Sequence, residues 1–219
     1  MSGADRTVHL VIMGVAGCGK SAVGQRLAAL LNLPLIEGDD FHPAANVQKM
    51  QQGIALDDAD RHGWLQTLAA ELARRPHGAV LTCSALKASY RNILRGHLPA
   101  PELAVAVGSS VGSAAGSAVG SAAGSAAESA AENAAGSAVG FVYLAITPVE
   151  SLRRVAQRAG HFYPPSLVAS QFEALQDPSL ELGVLTLDGI VPLDQLAERA
   201  ADWVQSGALI HLAPDLNSI

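Results

Sequence analysis

Eight residues near the N-terminus, Gly14-Val15-Ala16-Gly17-Cys18-Gly19-Lys20-Ser21, restrict the folds open to this chain more than any other stretch. They fit the spacing G-x-x-x-x-G-K-[ST]. Glycines at these positions let successive backbone N–H groups turn inward into a concave anion site. A helix starting at the end of the run adds its positive dipole end. Such a loop works only between a buried strand and a helix, and both are present. Val8-His9-Leu10-Val11-Ile12-Met13 reads as a mostly apolar strand, and Val23, Leu27, Leu30 and Leu31 fall on one helical face. In that setting Gly14 to Ser21 cradle the phosphates of a nucleoside triphosphate. Lys20 would reach the terminal phosphates, and Ser21 would place its hydroxyl on a bound Mg2+.

A chain of 219 residues suits one domain with a sizeable core. Its net charge of −6 argues against a general nucleic-acid binder, which usually shows a basic face. Cys18 and Cys83 are the two cysteines, without C-x-x-C spacing, so free thiols in a reducing compartment are expected and no zinc site. The polar start, Met1 to Arg6, lacks the apolar core of a secretion signal. The expectation is a cytoplasmic protein.

Residues 104–140 contain only Ala, Gly, Ser and Val apart from Glu128, Glu132 and Asn133, with a four-residue period from Gly108 to Gly140. The Gly-xxx-Gly spacing resembles a membrane helix-packing motif, but no Leu, Ile or Phe is there to hold it in lipid. A glycine every fourth residue also costs a helix about 1 kcal/mol each against Ala. The segment reads as a low-complexity insertion with nothing large to bury. Around it, strand-like runs at Leu33–Ile36, Ala79–Cys83, Phe141–Ile146 and Val184–Leu187 alternate with helix-like ones. Asp57 or Asp58 is placed to cap a helix carrying Trp64, Leu65, Leu68 and Leu72. Another helix runs through Tyr90 and Leu94, and a last one from Leu193 to Val204. Apolar strands separated by helices predict a parallel sheet covered on both faces.

In such sheets ligands bind outside the carboxyl ends of strands, so Glu37-Gly38-Asp39-Asp40-Phe41-His42-Pro43 should face the same crevice as the phosphate loop. Acids there can hold hydrated Mg2+ or accept a proton from an attacking hydroxyl; a solvated acidic loop is the plainer alternative. In Asp57-Asp58-Ala59-Asp60-Arg61, acids suit a helix N-terminus but Arg61 does not, and its guanidinium matches a substrate carboxylate. Asp60 to Gly63 also fits D-x-x-G, yet no N-K-x-D follows to read guanine. Lys87 and Arg91 share a helix face, and Arg154 and Arg158 repeat the spacing before Gly160-His161-Phe162-Tyr163-Pro164-Pro165. A basic helix end entering a Gly/Pro loop suggests a lid around 158–166 whose arginines meet the transferring phosphoryl.

Together these words resemble the gluconate kinases of the thermoresistant type. The match runs through Gly14–Ser21, Glu37–Pro43 with Asn46, Lys49 and Met50, Leu56–Arg61 with Trp64-Leu65, and Cys83–Lys87 with Tyr90-Arg91. It continues through Gly160-His161-Phe162 and Ser170–Pro178, and covers all but residues 104–140. The resemblance implies a three-layer α/β P-loop kinase fold like that of nucleoside monophosphate kinases, with a five-stranded parallel sheet and a small lid. It implies ATP-dependent phosphorylation of the 6-hydroxyl of D-gluconate, with Mg2+, by a homodimer. On the matching positions, Lys20, Asp39 and Arg158 would serve catalysis, and Gly14–Ser21 with Arg154 and Arg158 would hold ATP. Asp39, His42, Arg61, Lys87 and Arg91 would contact gluconate, and Ser21 and Glu37 would attend the metal. Related sequences often place Pro where Ala55 and Gly63 stand, and usually lack residues 104–140. Other readings are a kinase of another small sugar acid or a shikimate-like substrate, a non-catalytic ATP-binding switch, and an interaction protein built around the repeat.

Overall fold

A computed structural model of the chain describes residues 7–96, 138–157, 167–207 and 209. Residues 104–137 of the insertion, and the expected lid at 158–166 with Arg158, lie outside the described residues. Strands β1 (Val8–Met13), β2 (Leu35–Glu37), β3 (Ala79–Thr82), β4 (Ala138–Ala145) and β5 (Val184–Asp188) form one parallel sheet in the order β2-β3-β1-β4-β5. The central strand explains its own sequence. Side chains alternate faces along a strand, so Leu10 and Ile12 enter one core while Val11 and Met13 enter the other. Both faces are covered, so the run is apolar throughout.

On the first face, α1 (Lys20–Leu31) and α7 (Leu193–Gln205) pack through Val23, Leu27, Leu196 and Ala200. Leu30, expected on the buried face of α1, is 41% exposed. The face turns instead toward Gly24 and Ala28, because Gly24 brings the helix backbone onto the sheet: a Cβ there would lie 2.7 Å from Thr82 Cγ2. On the second face lie α3 (Asp58–Ala73) and α4 (Ala88–Arg95), which contribute Trp64, Leu65, Leu68, Tyr90 and Leu94. Asp57, rather than Asp58, caps α3. Its carboxylate accepts from Asp60 N–H at 2.8 Å while Asp60 accepts from Asp57 N–H at 3.1 Å. The remaining helices are α2 (Ala44–Gln51), α5 (Pro148–Ala156) and α6 (Val168–Ala174).

Strand β4 begins earlier than its sequence suggests. Ala138, Val139 and Gly140, the last three residues of the compositional anomaly, pair in register with Val8, His9 and Leu10. Six residues of β1 need a partner on that side, and these three complete the ladder. Gly140 is required by its neighbour, since a Cβ would sit 2.6 Å from Leu209 Cδ2.

Candidate active site

The loop between β1 and α1 takes the shape its glycines permit. Gly14 and Gly19 have φ of 137° and 103°, a region that side chains disfavour. A Cβ on Gly14 would also meet Leu144 O at 2.8 Å. Lys20 Nζ folds back to donate to the carbonyls of Gly14 and Val15, each at 3.1 Å. Cys18 takes part through its backbone, its N–H donating to Val15 O, while its thiol is buried in the core.

Glu37, at the end of β2, faces this loop. Its Oε2 accepts from Ser21 Oγ at 3.1 Å and from Thr82 Oγ1 at 2.6 Å. Its Oε1 is buried with no hydrogen-bond partner among the described residues. The turn that follows, Gly38–Phe41, presents Asp39 with a side chain 56% exposed into the cleft. His42 closes the turn, its Nε2 3.9 Å from Asp39 Oδ1 and its ring stacked on Trp64. Burial holds the His42 pKa below the ordinary histidine value, the Arg61 charge adds to this, and Asp39 opposes it. Imidazole is therefore the neutral form near pH 7.

Arg61 and Trp64 project from the first turns of α3 into the same cleft as Lys20, Ser21, Asp39 and His42. Arg61 Nη1 donates to Leu56 O and approaches Tyr90 OH at 3.5 Å. Its Nε and Nη2 make no hydrogen bond to a described residue, which leaves one edge of the guanidinium for an anion. Apolar Met50, Leu56 and Leu167 line the cleft beside these groups.

The other basic residues divide. Lys87 lies in an adjoining cleft that shares Leu56 and Arg61 with the first, and donates to Asp58 at 2.6 and 2.9 Å. That pairing lowers the Asp58 pKa and raises that of Lys87. Arg154 hydrogen-bonds Glu150, donates to Gly189 O at 3.0 Å and reaches Gly17 O at 3.5 Å, so it braces the outer wall of the phosphate loop. Arg91 corrects the expectation of a substrate contact. It is wholly buried, with Nε 3.0 and 3.1 Å from Glu181 and Nη1 on the carbonyls of Ala85 and Leu86. Ala85 has φ of 44°, so Arg91 steadies a strained turn that abuts the loop through Ser84 O and Gly14 N–H.

Trp64 and Gln171 are among the cleft residues that the sequence reading did not name as site residues. Trp64 read as an apolar helix position and as part of a resemblance word, with no role assigned, yet it also donates from Nε1 to Gly38 O at 2.8 Å. Gln171 lay inside a resemblance word with no charge to mark it, and its side chain reaches Ala16. Among the described residues no group of three or more His, Cys, Asp or Glu is arranged to hold a metal. No helix among them is long and apolar enough to cross a membrane.

No family model matches the chain. Individual relatives do. The gluconokinase of Gluconobacter oxydans is 36% identical over 184 residues, covering 82% of each chain. The thermoresistant gluconokinase of Escherichia coli is 31% identical over 214 residues, 94% of this chain and 99% of the relative. Among solved structures, a gluconokinase from Sinorhizobium meliloti superposes with a TM-score of 0.68 at 34% identity, over 91% of this chain and 93% of that one. The parallel sheet with its flanking helices is thus a nucleoside monophosphate kinase-like P-loop fold that binds ATP. From the loop, the facing cleft and these likenesses together, the chain is a kinase and belongs to the gluconokinase family.

Proposed function

We propose that the chain transfers the γ-phosphoryl of ATP to the 6-hydroxyl of D-gluconate, giving 6-phospho-D-gluconate and ADP. One observation carries this reading: Lys20 and Ser21 share a cleft with Asp39, His42 and the free edge of Arg61. The first pair suits a triphosphate, and the second group suits a polyol that ends in a carboxylate. Arg61 pairs with that carboxylate, and His42 and the Asp39 carboxylate take hydroxyls. Lys87 stands in the adjoining cleft for the remaining length of the sugar acid.

In the transfer, the 6-oxygen bonds to the γ-phosphorus as the bond to the bridging oxygen of ADP breaks, and Asp39 accepts the hydroxyl proton. Lys20 leaves the Gly14 and Val15 carbonyls to meet the terminal phosphates. Arg154 steadies the loop on the nucleotide side, and Arg158 serves the developing charge. The donor set fits Mg2+, a hard cation that keeps several waters: Glu37 Oε1 is a buried carboxylate oxygen without a hydrogen-bond partner among the described residues, and the Ser21 hydroxyl lies beside that carboxylate. Held by Ser21 and Glu37, Mg2+ would supply charge neutralisation of the transferring phosphates. The family likeness further supports a cytoplasmic homodimer built from single domains, with residues 104–137 as an insertion and 158–166 as a lid.

A coupled ADP-release assay across D-gluconate, other aldonates and shikimate tests the assignment. D-gluconate is expected to give the highest kcat/KM, and Lys20→Ala to abolish turnover. Preference for another acid, or no turnover with any, overturns it.

A further inference from the structure

Ala16, in the middle of the phosphate loop, is gripped on both sides. Its N–H donates to Gln171 Oε1 at 2.6 Å, and its carbonyl accepts from Ser151 Oγ at 2.7 Å. Ser151 on α5 is fully buried and Gln171 on α6 is 8% exposed, so neither contact is a loose surface one. Next along the loop, α5 presses so close that a Cβ on Gly17 would lie 2.9 Å from Ser151 O. Two helices therefore fix the two peptide groups that flank Ala16, in a loop whose function depends on where its N–H groups point.

The Gln171 contact also orients the side chain. A backbone N–H only donates, so the amide oxygen must face Ala16 and the Nε2 group must face away. Nε2 makes no hydrogen bond to a described residue, and Gln171 lines the same cleft as Lys20, Ser21 and Asp39. A glutamate could accept from Ala16 equally well but would set a negative charge beside a triphosphate. A neutral amide both accepts from the loop and offers two donors to phosphate oxygens.

We propose that Gln171 recognises the transferring phosphoryl group: Oε1 holds Ala16 in place and Nε2 donates to the γ-phosphate oxygens. This rests on the cleft being the ATP site, and not on the identity of the acceptor. It separates the γ-phosphate from the rest of the nucleotide, which gives the test its form. In Q171E the acceptor for Ala16 survives and the donors are lost; in Q171M both are lost. Affinities for ADP and for a non-hydrolysable ATP analogue are measured by calorimetry on the full chain, with circular dichroism to confirm folding.

Loss of a hydrogen bond to a charged group predicts that Q171E binds the analogue about tenfold or more weakly, with ADP affinity within about twofold of the parent. Q171M should show the same selective loss on top of a smaller loss for both nucleotides. Equal losses for the two ligands in both variants would reduce Gln171 to a structural prop, and unchanged analogue binding in either would overturn the proposal. Since neither readout uses gluconate, a parent that binds ATP without phosphorylating gluconate would refute the substrate assignment and leave this result standing.

Discussion

His42 lies flat against Trp64, with ring centroids 4.1 Å apart and planes 16° from parallel. Trp64 in turn donates to Gly38 O, so one indole supports both ends of the turn that carries Asp39. Trp64→Phe keeps the stack and removes the donor. It should cost about 1–2 kcal/mol of stability in denaturant unfolding, because a buried carbonyl loses its partner. Steady-state kinetics should show a raised KM for the acceptor with KM for ATP unchanged.

Asp39 is assigned to the acceptor side of the cleft. Asp39→Asn should lower kcat by roughly 10²–10⁴, the range for removal of a general base. Binding of a non-hydrolysable ATP analogue should stay as in the parent. A matching loss of nucleotide affinity would move Asp39 to the metal side.

Arg91 should behave as a structural residue. Arg91→Ala removes a donor from the buried Ala85 and Leu86 carbonyls and one of two cations from Glu181, which keeps Arg95, and leaving buried acceptors short of a partner costs about 1–3 kcal/mol. Urea unfolding should report that loss, while KM for gluconate in the folded fraction stays near the parent value. A large KM effect with little stability change would return Arg91 to the substrate.

Acid should weaken the fold through two histidines. Burial lowers the pKa of His9 and of His42 below 6.5, with Arg75 adding to the effect on the first and Arg61 on the second. The unfolded chain then takes up protons near pH 6.5 while the folded chain does not, so stability falls as pH drops through 6.5 toward the folded values. His9→Asn should flatten that slope in unfolding curves collected between pH 5 and 7.5. An unchanged slope would remove His9 from the account.

The boundary of β4 makes two deletions unequal. Removing 104–137 keeps Val139 and Gly140 in the sheet. Removing 104–140 brings Leu103 to the position of Gly140, where Leu209 already fills the space. The longer deletion should lose a further 1–3 kcal/mol or so from overpacking, read as a lower unfolding midpoint. Equal midpoints would show that the neighbourhood yields at no cost.

The parts legible in the sequence are those whose cause is local. The continuous apolar run of β1, the capping acids before α3 and the glycines of the phosphate loop each state their structure within a few residues. Arg61 stood out because a cation is out of place in a first helical turn, and it does line the cleft. The misreadings have distant causes. Arg91 looks like its neighbour Lys87 by spacing, and only Glu181, ninety positions later, makes it a buried residue. Gln171 is neutral, so nothing in its helix marks it until Ala16 is seen beside it. Ala138, Val139 and Gly140 share the composition of the repeat that precedes them, and only the pairing with β1 identifies them as strand.

Strand order has a consequence for how the molecule is made. Leu10 and Gly140 are neighbours in the sheet, although roughly 130 residues of chain separate them, and the insertion adds only about 0.3 kcal/mol to closing that span. Rate is affected more than stability. During synthesis one edge of β1 is satisfied when β3 emerges, but the other waits until roughly two-thirds of the chain has left the ribosome. For that interval the strand that leads into the phosphate loop is an open edge, able to pair with whatever strand comes near. Most of what emerges after α4 in that interval, residues 104–137, is almost entirely Ala, Gly, Ser and Val, without a large apolar side chain to dock there in place of β4.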